Sequence, residues 1–308
     1  MSGQSGMRPR CCGLARTGAV VRGALLDVTG RSAAPAAGGP PPVPGTTGTE
    51  AATPAGLERF FGNGLSFSDR GAFGLDRAQL ITTPDAPGGS MLRVGYPAGS
   101  ASRRAAAEDG GMQAYLRLPD GPEDALHLQY FVRFQPDFDF VRGGKLPGLF
   151  GGTVTGGQHI PDGTDGFSTR YMWRSGGDGE VYAYLPTSQE HGTSLGRGCW
   201  SFPTNQWVVI EQRVALNTPG ASDGEVSVWQ DGRHVLHQRG LTFRTTDQLK
   251  IDGVFFSTFF GGGDATWATP VDQHADFAGF SVSADPTPRT EPGDDADNCQ
   301  ATCIPAPS

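Results

Sequence analysis

The sequence predicts an all-β domain, a sandwich or jelly roll of antiparallel strands. Three observations carry this prediction. Apolar residues alternate with period two, short strands are separated by Gly/Pro-rich turns, and no window of a dozen residues shows a helical stripe. Residues 126–134 are the clearest strand. Leu126, Leu128, Tyr130, Val132 and Phe134 share one face, while His127, Gln129 and Arg133 share the other and only Phe131 breaks the pattern. Residues 91–96, 112–118, 207–216, 226–229, 254–260 and 277–282 also read as strands, rich in β-branched and aromatic side chains. Asp231-Gly232, between 226–229 and 235–236, marks a hairpin because its turn needs positive φ.

This β pattern occupies residues 57–284, the expected folded domain. Residues 1–56 read as a low-complexity N-terminal segment. An Ala/Pro/Gly/Thr run over 33–56 contains Pro40-Pro41-Pro42 and too few large apolar groups to offset its ordering entropy. Upstream, residues 7–26 faintly resemble a signal peptide interrupted by Arg16 and Arg22. Residues 285–308, rich in Pro and Asp, are expected to be a disordered tail, and Cys299 and Cys303 within it are spaced to close a small disulfide loop. The five cysteines form no metal-ligand spacing with histidine. His234 and His237, an odd number of residues apart on a strand, are expected on opposite faces, so no metal site is expected.

Charge and hydropathy exclude two classes of function. The 308-residue chain carries 24 basic and 32 acidic residues, a net charge of −8, with no basic block for nucleic acid. No run approaches the ~18 apolar residues of a membrane span. Only Lys145 and Lys250 among the basic residues are lysines, which draws attention to Lys145 in the glycine-rich stretch 143–148.

The most informative segment is 167–185. Two strands, 168–174 and 180–185, flank Ser175-Gly176-Gly177-Asp178-Gly179. With Arg174 paired to Glu180, Met172 faces Tyr182 and Arg170 faces Tyr184 across the hairpin. Ser168, Arg170, Met172, Arg174, Tyr182 and Tyr184 then share one face, and Tyr171, Trp173, Val181, Ala183 and Leu185 form the core face. A loop at 143–148 is expected to deliver Lys145 to the polar face. Cations that neutralise a carboxylate, beside phenols that exchange protons, suit elimination at a uronic acid, where the C5 proton lies α to the carboxylate. A glycosidase would instead need two carboxylates across a cleft, and the candidates Asp178 and Glu180 sit in or beside a turn.

Several motifs now line up in one order: Gly143-Gly144-Lys145-Leu146-Pro147-Gly148, Arg170-Tyr171-Met172-Trp173-Arg174 and Tyr182-Ala183-Tyr184. Asn217-Thr218-Pro219-Gly220, Asp223-Gly224, Trp229-Gln230-Asp231-Gly232 and Phe256-Ser257-Thr258-Phe259-Phe260-Gly261-Gly262 follow, then Asp264 and Trp267. In this set residues 57–283 resemble the family 14 polysaccharide lyases, which act on alginate and glucuronan. Gly263 departs from the serine many relatives carry there, and the N-terminal segment lies outside the family domain.

The resemblance implies a β-jelly roll, a sandwich of two antiparallel sheets with a concave cleft for an acidic polysaccharide. It places the catalytic set on Lys145, Ser168, Arg170, Tyr182 and Tyr184. Tyr184 is the leading acid/base with Tyr182 in support, Arg170 and Lys145 neutralise the carboxylate, and Ser168 hydrogen-bonds substrate. A lysine held near cations is an alternative base. Arg142 and Arg174 are expected to bind substrate. Arg142, Lys145, Arg170 and Arg174 against Asp162 and Asp165 leave the stretch 142–174 locally positive in an acidic chain. The expected protein is a secreted, monomeric lyase needing no cofactor. The competing reading is a non-catalytic carbohydrate-binding sandwich using the same cationic face.

Overall fold

The computed structural model describes residues 47–284 apart from 103–105, 107 and 158. In chain order the strands begin with β1 (Gly48–Ala51), β2 (Ser66–Phe73), β3 (Ala78–Thr82), β4 (Ser90–Tyr96), β5 (Ser100–Ala101) and β6 (Glu108–Asp109). They continue with β7 (Met112–Arg117), β8 (Ala125–Phe134), β9 (Gly143–Gly152), β10 (Gly166–Arg174), β11 (Gly179–Tyr184) and β12 (Thr193–Leu195). The last five are β13 (Val208–Ala215), β14 (Gly224–Gln230), β15 (Arg233–Leu241), β16 (Gly253–Phe260) and β17 (Gln273–Ser283). One α-helix, α1 (Pro54–Phe61), occurs among the described residues, and none there is long and apolar enough to cross a membrane.

Two antiparallel sheets pack face to face. One has the order β1-β3-β4-β17-β8-β13-β14-β15, the other β12-β11-β10-β9-β16-β7-β2, and β5 and β6 form a small parallel pair. The core lies between the sheets, as the alternation requires. Leu128, Tyr130, Val132, Ile210 and Phe277 face inward from the first sheet, and Phe167, Tyr171, Trp173, Val181 and Phe256 from the second. Buried polar links tie the sheets together; in one, the Thr169 hydroxyl donates to Gln212 Oε1 at 2.6 Å, and Gln212 Nε2 donates to the Thr169 carbonyl at 3.0 Å. Phe131, the exception in β8, is half-buried on the outer face against a small cluster of Ala86, Met91 and Ala278.

The structure corrects the sequence reading at four places. The glycine-rich stretch carrying Lys145 is strand β9, paired on one side with β10 and on the other with β16, not a loop. Its glycines answer to neighbours: a Cβ on Gly144 would overlap the Trp173 indole, whose Nε1 donates to the Phe140 carbonyl at 3.2 Å. Pro147, which has no N–H for the ladder, occupies a bulge, since Arg170 pairs with Gly148 and Tyr171 with Leu146. The freed Pro147 carbonyl accepts from the buried Tyr130 hydroxyl at 3.1 Å.

The β10–β11 hairpin is two residues tighter than expected, with Met172 opposite Glu180 and Arg170 opposite Tyr182. Gly176 and Gly177, both at positive φ, close the turn in three residues, and the Arg174 N–H donates to the Asp178 carbonyl at 2.7 Å. A shift of two preserves which residues share a face. His234 and His237 lie on the same face with ring centroids 5.8 Å apart, because a bulge at Val235 breaks the alternation between them. Finally, described elements begin at Gly48 rather than after Gly56. Strand β1 pairs with β3, and Thr53 caps α1 by accepting from the Gly56 N–H at 3.1 Å, with Leu57 and Phe61 buried beneath.

Candidate active site

The face of the seven-stranded sheet turned away from the core lines a cavity of about 1090 Å³. Strand parity decides which side chains reach it. Gln113 and Tyr115 come from β7, Phe255 and Phe259 from β16, Lys145 from β9, Arg170, Met172 and Arg174 from β10, and Tyr182 and Tyr184 from β11. Strand β10 is therefore buried on both faces, one in the core and one beneath the cleft.

Lys145 is 8% exposed, and its Nζ lies 3.5 Å from the Tyr182 ring centroid and donates to the Met172 sulfur. Burial holds its amine well below the ordinary lysine range, and the nearby Arg170 and Arg174 push the same way against a smaller opposing effect of Glu180. Arg170 is 4% exposed. Its Nη1 donates to Ser257 Oγ at 3.1 Å, Ser257 Oγ donates in turn to Gln113 Oε1 at 3.4 Å, and Phe255 lies 4.5 Å below the guanidinium carbon. No carboxylate among the described residues forms an ion pair with it. Arg174 differs: its Nη2 meets Glu180 Oε1 at 2.5 Å, and Glu180 is 0% exposed.

The two phenols meet edge to face with centroids 5.7 Å apart. Burial, reinforced by Tyr184, pushes the Tyr182 hydroxyl up to about 12. The Tyr184 hydroxyl donates to the Gly157 carbonyl at 2.9 Å. Across the cleft, Tyr115 stacks on Phe255 at 4.2 Å and shares a 2.6 Å hydrogen bond with the Thr155 hydroxyl.

Comparison with known proteins gives the family. The sequence profile of the family described as polysaccharide lyase 14 matches residues 84–280. The chain belongs to the polysaccharide lyase 14 family. The PL-14 alginate lyase from Aplysia kurodai is 34% identical, with a TM-score of 0.62 over 70% of this chain and 89% of that one. The alginate lyase vAL-1 from Chlorella virus is 22% identical with a TM-score of 0.60, covering 68% of this chain and 89% of that one. Alginate lyase Aly36B, at 23% identity and a TM-score of 0.62, covers 79% and 94% respectively. The last two share the fold. A search of curated proteins by sequence found no match.

This polysaccharide lyase brings Lys145, Arg170, Arg174, Tyr182 and Tyr184 together on one surface. Two other predicted residues lie elsewhere. Ser168 is wholly buried and donates to the Thr155 carbonyl at 2.6 Å, so it holds the turn over the cleft. Arg142 is exposed at the rim, donating to the Thr266 hydroxyl at 2.5 Å with the Trp267 ring 5.0 Å away, and does not line the cavity. Sequence reasoning missed Gln113, Tyr115 and Ser257, and it left Glu180, named only as a glycosidase candidate, out of the local charge balance. Alternation puts Phe255, Ser257 and Phe259 on one side of 254–260, but it does not tell a face that meets a cleft from one that meets solvent.

Proposed function

We propose that the cleft binds a polyuronate and cuts it by β-elimination. One observation carries the reading: a guanidinium, Arg170, buried with no carboxylate partner among the described residues, beside an amine held toward its neutral form. An uncompensated buried cation is costly, and a substrate carboxylate seated on it supplies the missing charge. The same contact strengthens as C5 loses its proton, because charge then spreads onto that carboxylate.

Lys145 is the base in this reading, rather than a tyrosine. With its hydroxyl pushed up to about 12, Tyr182 holds only about one phenolate in 10⁵ at pH 7. Nζ of neutral Lys145 takes the C5 proton, the C5–H electrons form the C4–C5 double bond, and the C4–O bond breaks. Tyr184 gives its proton to the departing glycosidic oxygen. The resulting ammonium and phenolate are restored by exchange with solvent, so the elimination itself consumes no water. Tyr182 is the platform beneath the amine, and Arg174 flanks the substrate.

The relatives compared above act on alginate, a polyuronate, which supports this substrate class. A polymer of that kind meets the enzyme outside the cell, so we read the protein as secreted, and one chain supplies the whole cleft, so we read it as a monomer. The test follows ultraviolet absorbance of the unsaturated product while the full chain is offered glucuronan, polymannuronate and polyguluronate separately. The signal is expected to grow on one of them and to fall about 10²–10⁴-fold in Tyr184→Phe. A folded protein that binds one of these polymers yet gives a flat trace would sink the proposal.

A further inference from the structure

Glu180 is an unexpected residue beside a cleft for a polyanion. It is completely buried, it lies on the cleft side of β11 with Tyr182 and Tyr184, and it repels what the site must attract. Its place in the sheet suggests why it is there. Glu180 stands directly opposite Met172, and Met172 stands directly opposite Lys145, so the three form one row across β11, β10 and β9. Two strand spacings put the two ends of that row about 10 Å apart at the backbone; Lys145 and Arg174 line the cavity, and Glu180 lies buried behind Arg174.

Glu180 Oε1 holds Arg174 Nη2 at 2.5 Å, while Arg197 Nε stands 4.0 Å from its other oxygen, from the exposed side. So held, the Arg174 guanidinium carbon lies 5.6 Å from the Tyr182 ring and 5.8 Å from Trp267. The charged and titratable groups around Lys145 are then few. Arg170 and Arg174 come from β10, Glu180, Tyr182 and Tyr184 from β11, and His191 from the turn before β12. Strand β16 brings Phe259, which carries no charge. Among these groups Glu180 is the lone carboxylate.

We propose that Glu180 is a positioning residue that clamps Arg174 and, through this charge pair, governs how readily Lys145 holds its proton. Its buried charge offsets the guanidiniums that drive the proton off, so the lysine stays basic enough to take the substrate's C5 proton. The link to turnover rests on Lys145 being the base. The link to Lys145 protonation does not.

The test exploits the scarcity of lysine. Protein labelled with ¹³C-lysine gives Cε signals from Lys145 and Lys250 alone, and Lys250→Arg assigns them. Removing a charge about 10 Å away in a medium of intermediate dielectric moves a midpoint by about one pH unit. Glu180→Gln is expected to lower the Lys145 midpoint by that amount, Arg174→Gln to raise it similarly, and the double variant to return close to the parent. The acidic limb of kcat/KM is expected to move with it. A Lys145 midpoint unchanged in both single variants overturns the inference, whatever happens to activity. Midpoints that move while the acidic limb stays still uphold the inference and remove Lys145 as the base. Should Glu180→Gln fail to fold, the upward shift in Arg174→Gln tests the same claim from the other side.

Discussion

Two groups of buried or half-buried arginines sit on opposite outer faces of the sandwich, and their partners differ. On the eight-stranded sheet, Asp276 of β17 lies between Arg93 of β4 and Arg133 of β8, directly opposite each in the ladder. Arg93 grips it with two bonds of 2.8 and 3.0 Å, Arg133 adds two of 3.3 and 3.0 Å, and Arg133 also reaches Asp85 at 2.6 Å with Trp207 4.5 Å away. On the seven-stranded sheet, Arg170 is more buried than either, yet its hydrogen-bond partner is a neutral hydroxyl. The first arrangement stabilises the sheet. The second carries a desolvation cost that a substrate carboxylate offsets. The missing counter-charge, not exposure or residue type, sets Arg170 apart from the structural pair Arg93 and Arg133.

Crossed substitutions break this comparison most sharply. Arg170→Met is expected to lower kcat/KM by about 10²–10³ while leaving the unfolding midpoint unchanged or raised, because an uncompensated buried charge disappears. Asp276→Asn is expected to do the reverse, costing about 3 kcal/mol of stability and leaving turnover within a few-fold of the parent. Urea unfolding and the absorbance assay on both variants decide it. Destabilisation by Arg170→Met as large as that by Asp276→Asn would abolish the distinction.

Lys145 sharpens the comparison through pH. Its folded pKa lies below its unfolded value of about 10.4, so between the two the unfolded chain binds the extra proton and stability rises with pH. Below the folded pKa both states are protonated and the full penalty of burying the ammonium remains. Lys145→Met is therefore expected to be inactive, more stable than the parent at neutral pH, and flatter in its pH dependence across that window. Thermal midpoints at a series of pH values measure this. A variant less stable than the parent at pH 7 would mean that the lysine contributes packing rather than strain.

Much of the site was legible from alternation alone, and the reason is physical. Facing in a strand depends on parity, so Arg170, Met172, Arg174, Tyr182 and Tyr184 reach one surface even though the hairpin register differs by two from the one expected. What alternation misses lies in the neighbours. Gly144 and Gly148 suggested a loop, yet they are small because Trp173 and the backbone of Thr169 and Arg170 press against them from an adjacent strand. His234 and His237 share a face because of one bulged residue that no local signal announces. The charge count over 142–174 left out Glu180, which lies outside that window in sequence and directly across the ladder from Met172 in space. Local charge is set by sheet neighbours, and a window along the chain samples only some of them.

The smallest expected effect concerns Ser168, where family resemblance and geometry part. The resemblance gives it a hydrogen bond to substrate. In the structure its hydroxyl is wholly buried and donates at 2.6 Å to the Thr155 carbonyl, while Thr155's own hydroxyl bonds Tyr115 and Gly157 accepts from Tyr184. Ser168 thus anchors one end of a turn whose other end touches the proposed acid. Ser168→Ala leaves the buried carbonyl without this partner, a loss of about 1–3 kcal/mol. Its effect on turnover is expected to be less than about tenfold and confined to kcat, because the altered group positions Tyr184 rather than holding sugar. A rise in KM with unchanged kcat would be the mark of a lost substrate contact, and would return Ser168 to the role the family pattern suggests.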